Sequence, residues 1–376
     1  MVPWIVLRLR RAQSIGAPEA LLLAVGLLVV PVVLLLAEAG LALAQAGEDP
    51  DQKSSSIDRL HRYSEVFGWE PRPGRYVDDD RLVTINAQGY RGEPIAPRSG
   101  VRRVLILGDS VAFGLYVNDH ETYAAQLGAL ADDLEVANLA VQGYGPEQSL
   151  LRLERVGLEM DPDLVVFGLC LGNDFADVML DSFLYDAAHP KPYFRIQAGQ
   201  LVRHDEHLRL GSRRRLALWL HDNSRLFRTV LGSQAGETPV RSWSGRRREA
   251  MRDRAAAIAL VARLAAEMRE LAAARGAAFL VALHPDRLDV GHRREKWNGA
   301  LLRALAAEDV EALELEAEYA NRGLGYEDVS IDAIGHLSPR GHALTARILE
   351  TRLRQLSRAG ASSLAVSGDT PSLPLR

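Results

Sequence analysis

Val104-Leu105-Ile106-Leu107 runs directly into Gly108-Asp109-Ser110, and the reading of this join decides the fold. A short continuous apolar run is the mark of a parallel strand covered on both faces. Ligands of open α/β sheets gather at the carboxyl ends of such strands. A serine placed there, opening the next helix, exposes its hydroxyl beside the N–H groups of the helix N-terminus, which suit an oxyanion. Taken alone, the same residues also describe an ordinary turn capped by Asp or Ser.

Outward from this join the pattern repeats. Leu134 to Ala140 reads as a second strand and ends in Val141-Gln142-Gly143-Tyr144-Gly145. Leu164 to Cys170 reads as a third and ends in Leu171-Gly172-Asn173-Asp174. Further strands are expected near 277–283 and 310–314, the first strand spanning 102–108. Helical patterns lie between them near 121–131, 147–158, 247–275 and 296–307. In the longest, Ala257, Ile258, Val261, Leu264, Ala265, Met268 and Leu271 mark one apolar stripe. Alternating strands and helices predict an α/β fold: a three-layer α/β/α sandwich around a five-stranded parallel sheet.

Near the C-terminus stands Asp332-Ala333-Ile334-Gly335-His336, followed by Leu337-Ser338-Pro339-Arg340-Gly341-His342. In this order the GDS turn, the Gly143 turn, Gly172-Asn173-Asp174 and the late Asp…His resemble the four blocks of the SGNH (GDSL-type) hydrolase family. The resemblance covers roughly residues 101 to 355, and it implies that the sheet is flavodoxin-like. The stretch Thr84 to Gly92 (TINAQGYRG) resembles the lead-in of membrane-anchored bacterial members.

The resemblance implies acyl-ester chemistry, which needs a nucleophile, a base and oxyanion donors. Ser110 is the candidate nucleophile. His336 is the candidate base, since an imidazole can accept and return a proton near neutral pH. By position, the implied oxyanion donors are the N–H groups of Ser110 and Gly143 and the side-chain amide of Asn173. The family usually places its acid three residues before the histidine, where this chain has Ala333. Asp332 stands four before, and Gly335 gives the loop freedom to absorb the extra residue. Two arrangements are therefore open: a Ser-His-Asp triad using Asp332, or a Ser-His dyad. His342 is expected to open the last helix, Ala343 to Leu353. Asp109 and Asp174 are expected to hydrogen-bond the turn backbone. His284 could line the crevice or have no role.

Composition narrows the classes. The chain has 376 residues, 47% apolar, with a net charge of −4, which suits one sizeable domain with extensions and gives nucleic acid no basic surface. Arg213-Arg214-Arg215 and Arg246-Arg247-Arg248 read as solvated helix faces. Cys170 is the only cysteine, so no internal disulfide can form, and its place in an apolar strand marks a small buried hydrophobe. No histidine or cysteine spacing suits a metal and no phosphate-binding loop is present, so no metal or cofactor is expected.

Arg8, Arg10 and Arg11 precede an uncharged stretch, Ala20 to Ala37, and acidic Glu48, Asp49 and Asp51 follow it. That length and charge order predict one N-terminal transmembrane helix with the N-terminus in the cytoplasm. Cleavage after Ala44-Gln45-Ala46 is the rival, and the long apolar run favours an uncleaved anchor. The expected organisation is an anchor over 1–47, a polar juxtamembrane extension over 48–100, the hydrolase domain over 101–357, and a disordered tail over 358–376. The domain carries an insertion at 175–245, with a helix near 213–231, that is a candidate lid.

The resulting expectation is an extracytoplasmic, inner-membrane serine esterase or O-acyltransferase. What the resemblance implies as substrate is an acylated carbohydrate or other ester, with acetyl groups on envelope or exported polysaccharide foremost. A membrane acyltransferase is a candidate partner, and nucleic acid is not. A glycan-binding protein on the same fold and a lipase or phospholipase are the alternatives.

Overall fold

The computed structural model describes residues 17–44, 60–78, 80–96, 100–185, 187, 189–227, 243–285 and 294–366. Eleven strands are present among them: β1 (His61–Ser64), β2 (Gly68–Pro71), β3 (Gly74–Asp78), β4 (Arg81–Ile85), β5 (Arg102–Gly108), β6 (Leu134–Asn138), β7 (Leu164–Cys170), β8 (Tyr193–Gln197), β9 (Gln200–His204), β10 (Ala278–His284) and β11 (Ala312–Glu314). The helices are α1 (Ala17–Ala44), α2 (Ser110–Phe113), α3 (Tyr123–Leu130), α4 (Pro146–Arg155), α5 (Asp174–Asp177), α6 (Ser212–Asn223), α7 (Trp243–Ala250), α8 (Arg254–Ala273), α9 (Arg294–Ala307), α10 (Leu315–Ala320), α11 (Tyr326–Val329) and α12 (Pro339–Val366).

The chain forms two compact units, one of residues 1–53 with 211–237, the other of residues 54–210 with 238–376. The larger unit is built on a five-stranded sheet in the order β11-β10-β7-β5-β6, all parallel. Taken by position in the sheet, this is the doubly wound order 2-1-3-4-5, whose topological switch point lies between its first and third strands. Those strands are β5 and β7, so the switch point falls between the Ser110 and Asn173 turns.

All seven residues of β7 are buried, as its unbroken apolar sequence requires for a central strand. Side chains alternate across the sheet. Leu105, Leu107, Val165 and Phe167 enter one core with α4, α8 and α9. Val104, Ile106, Val166 and Cys170 enter the other with α3, α10 and α12. Both faces are thus covered, and the three-layer expectation holds.

Three expectations need correction. The segment expected as a polar extension is part of the larger unit, because its apolar residues are inside: Leu60, Phe67, Trp69, Val83, Ile85 and Tyr90 are all buried. It forms the antiparallel hairpins β1–β2 and β3–β4. The last helix runs to Val366, well past Leu353, which places 358–366 in a helix rather than a tail; the Ala-rich segment favours continuation. Residues 367–376 lie outside the described residues. The insertion is divided. Its first part carries the hairpin β8–β9 in the larger unit, and residues 211–237 group with the N-terminal segment.

In the smaller unit, the expected apolar segment is helical within α1, which contains Pro31. Among the described residues no helix is long and apolar enough to cross a membrane. The expected transmembrane segment is therefore present as a helix, and among the described residues it is not a membrane span. Arg8, Arg10, Arg11 and Gln45-Ala46 lie outside the described residues. Glu38, a charge in the later part of α1, accepts hydrogen bonds from Ser224 Oγ at 2.8 Å, Arg225 N at 2.6 Å and Leu226 N at 3.1 Å. A carboxylate on those first N–H groups acts as a cap for the helical residues 225–227 that follow α6.

Candidate active site

Ser110 is the first residue of α2, directly beyond β5. Asp109 is the N-cap of that helix, its carboxylate accepting from Val111 N at 2.9 Å. Burial pushes the Asp109 carboxyl above its ordinary value. The far end of this short helix is held by Arg91, a buried residue of the segment that resembles the family lead-in. Its guanidinium donates to the carbonyls of Phe113, Gly114 and Val117 and to Asp119. A four-residue helix has little stability of its own, so this clamp fixes where Ser110 points.

Ser110 Oγ lies 2.8 Å from His336 Nε2, and His336 Nδ1 lies 2.5 Å from Asp332 Oδ2. The three residues identified in the sequence are brought into one hydrogen-bonded line. Asp332 reaches the ring because the loop folds around its carboxylate. Its Oδ1 accepts the N–H groups of Ile334, Gly335 and His336, and Gly335 takes φ +112°, a conformation that favours glycine. Half-burial pushes the Asp332 carboxyl up, but hydrogen bonds from the His336 ring and the backbone outweigh it and hold the group below its ordinary value. A carboxylate on Nδ1 fixes the proton there and leaves Nε2 as the acceptor facing Ser110.

Gly143 and Asn173 follow β6 and β7, the strands on either side of β5. Gly143 takes φ +79°, and a side chain there would meet the Phe183 ring. Asn173 is buried, and its Nδ2 donates to Asp177 Oδ2 at 2.8 Å; its side chain also hydrogen-bonds toward the Asp109 carboxyl beside Ser110. Adjacent parallel strands lie about 4.8 Å apart, so turns leaving three neighbouring strands at the same end face one small volume.

Several neighbours gave no sequence signal. Tyr116 stands edge-on to the His336 ring at a centroid distance of 5.2 Å. It holds φ +71°, a sparsely populated conformation for a side-chain-bearing residue of the kind that concentrates at functional sites. Tyr326 donates its hydroxyl proton to the Asp332 carbonyl at 2.5 Å. Trp69 Nε1 donates to Gln142 O at 3.1 Å, and Tyr144 donates to Trp69 O at 2.7 Å. The N-terminal hairpins therefore brace the Gly143 turn. Arg246 and Arg247, expected on a solvated face, instead bind the chain beside the site. Arg246 donates to Phe183 O and Ser182 Oγ, and Arg247 donates to Gly172 O.

The other candidates take places in the turns and the core. Asp174 accepts from Cys170 N at 2.7 Å, as expected for a turn residue. His342 is buried in the fourth position of α12, its Nδ1 accepting from Tyr123 N at 3.1 Å. His284 ends β10 fully buried, and Tyr123 stacks on both histidines. Among the described residues, no cluster of three or more His, Cys, Asp or Glu could hold a metal ion.

No protein-family model matches the sequence, and no curated protein matches it. Solved structures do. The structure of TesA is 16% identical and covers 66% of this chain and 97% of its own, with a TM-score of 0.38. A putative lipolytic protein of the G-D-S-L family from Desulfitobacterium hafniense is 12% identical over 66% of this chain and 98% of its own, with a TM-score of 0.35. The psychrotrophic esterase EstA from Pseudoalteromonas is 11% identical over 68% of this chain and 99% of its own, with a TM-score of 0.38. Likenesses at these scores carry no chemistry to this chain, whose own side chains must supply it.

Proposed function

We propose that this chain is an ester hydrolase of the SGNH type, working through an acyl-enzyme on Ser110. The observation that carries the reading is the continuous line Ser110 Oγ–His336 Nε2–His336 Nδ1–Asp332 Oδ2, at 2.8 and 2.5 Å. A serine hydroxyl is a weak nucleophile until a base takes its proton, and the base works only when its tautomer is fixed. His336 Nε2 accepts the Ser110 proton as Oγ bonds to the ester carbonyl carbon. The carbonyl oxygen becomes an oxyanion, held by the N–H groups of Ser110 and Gly143 and the side-chain amide of Asn173. The intermediate collapses, the C–O bond to the alcohol breaks, and His336 returns the proton to the leaving oxygen. A water deprotonated by His336 then attacks the acyl-enzyme and releases the acid and Ser110. A sugar hydroxyl in place of that water would make the same site an O-acyltransferase.

The proposed substrates are acetyl esters of envelope or exported polysaccharide, in keeping with the resemblance of the sequence blocks to membrane-anchored members. The proposed location is outside the cytoplasm, anchored by the segment around 20–37; its support is the order of charge in the sequence, with Arg8, Arg10 and Arg11 before the uncharged run. Hydrolysis of p-nitrophenyl esters of increasing acyl length tests the activity. Turnover of the acetyl ester that falls with chain length and disappears in Ser110→Ala supports the reading. Preference for long chains would make it a lipase, and no turnover on any ester would remove the hydrolase reading. A reporter fused to the C-terminus tests location by which side of the membrane it reports.

A further inference from the structure

This chain has only three lysines, and one of them, Lys191, is fully buried between Pro190 and Pro192. A buried ammonium is costly unless paired and hydrogen-bonded. Here it is both. Its Nζ forms an ion pair with Glu147 Oε1, the two side chains completely shielded from solvent. The same nitrogen donates to the main-chain carbonyl of Asp177 at 2.8 Å.

Those two partners belong to two different strand ends. Glu147 lies in the first turn of α4, the helix that starts three residues after Gly143. Asp177 closes α5, the helix that opens directly after Asn173, and its carboxylate takes the Asn173 amide hydrogen. We propose that Lys191 is a positioning residue that ties the Gly143 turn to the Asn173 turn, so that Glu147, Lys191 and Asp177 together set the spacing of two oxyanion donors.

The chain around Lys191 is itself anchored. Lys191 N donates to Asp181 O at 2.9 Å, and Phe183 N donates to His189 O at 2.8 Å, closing the segment 181–191 on itself. Phe183 in this segment is the ring that faces Gly143. Arg246 grips the segment through Phe183 O and Ser182 Oγ. A buried ion pair is poor evidence for stability, since apolar replacements of the same volume often do as well. Its geometry is another matter: one buried nitrogen donating to both sets the distance between a carboxylate on α4 and a carbonyl on α5.

The inference rests on the esterase reading, and its test separates the two. The double variant Lys191→Met/Glu147→Gln removes both charges together, so no unpaired charge stays buried. With p-nitrophenyl acetate the expected result is kcat lower by about 10- to 100-fold, somewhat less than loss of an entire oxyanion donor, with KM within about twofold. In an Asn173→Ala background the same double change is expected to cost much less, because the donor that it positions is gone. A structural role alone would lower stability and leave that non-additivity absent. Selective nitrogen-15 labelling of asparagine reads the contact without turnover: the Asn173 amide is expected to exchange its hydrogens faster and shift in the double variant. Wild-type kcat, or a loss fully additive with Asn173→Ala, would overturn the proposal. An unchanged Asn173 amide would overturn it even if the wild-type chain hydrolysed no ester, a result that would count against the esterase reading instead.

Discussion

His336 Nδ1 and Asp332 Oδ2 stand 2.5 Å apart across a separation of four residues, one more than the spacing usual among the proteins whose motif this sequence resembles. The loop accommodates the extra residue by wrapping three main-chain N–H groups onto the other carboxylate oxygen. Position 333 has no part in that arrangement. Asp332→Asn removes the charge that fixes the His336 tautomer and is expected to lower kcat/KM by about 10²- to 10⁴-fold. Moving the acid, with Asp332→Ala and Ala333→Asp together, is expected not to restore the rate, because the wrap is built on 332. Ester hydrolysis by purified variants decides this, and recovery in the second variant would contradict it.

The N-terminal hairpins are part of the folded core that carries the site. Trp69 is 2% exposed and packs edge-on against Tyr144 and Phe183 at centroid distances of 5.8 and 5.7 Å. Trp69→Ala is expected to cost about 3–5 kcal/mol in urea unfolding, as for other large aromatic truncations in cores. A spacer would tolerate the change without effect. Hydrolytic activity is expected to fall as well, since the indole N–H holds the carbonyl of Gln142 beside Gly143.

Acid destabilisation is expected from two buried histidines. Burial lowers His284 and His342 from 6.5 to about 3. The unfolded chain therefore binds protons that the folded one excludes between those values. The stability they contribute is full above about 6.5 and is lost as pH falls toward 3, at up to about 1.4 kcal/mol per pH unit for each histidine. His284→Phe keeps a ring against Tyr123 and removes one titration. Its unfolding free energy is expected to fall less steeply between pH 6 and pH 4, roughly the window between the two states, in denaturant titrations at each pH.

Asp177 works in the opposite sense. Burial raises its carboxyl from 3.8 to about 7. The folded protein holds a proton there that the unfolded chain releases near 3.8, so this contribution is full below that value and is lost as pH rises through about 7. Asp177→Asn removes the titration and is expected to flatten stability between about pH 4 and pH 7, the interval between the two values. A slope unchanged from the wild type would contradict the assignment.

The sheet was legible because its central strands β5, β7 and β10 are largely apolar runs, and β5, β6 and β7 each end in a turn that carries a site residue. Ser110, His336 and Asp332 were legible from residue type and order. The bracing was not. β1 to β4 are short, with alternating or mixed burial, and in sequence the segment reads as a polar extension; only tertiary packing puts Trp69 inside. Nothing local in the sequence pairs Lys191 with Glu147, forty-four residues away. Arg246 and Arg247 look like a solvated face for the same reason: their partners are main-chain carbonyls brought near by the fold. The length of α12 was underestimated because its last turns carry little apolar periodicity, whereas Ala-rich sequence continues a helix without it.

The central claim is that His336 activates Ser110. Labelling the full-length chain with a fluorophosphonate, beside Ser110→Ala and His336→Ala, tests it most directly, because the reagent bonds covalently only to a hydroxyl made nucleophilic by its base. The account predicts a label on the wild-type chain that is absent from Ser110→Ala and strongly slowed in His336→Ala. A folded wild-type chain that takes no label, or a label that survives Ser110→Ala, would contradict it.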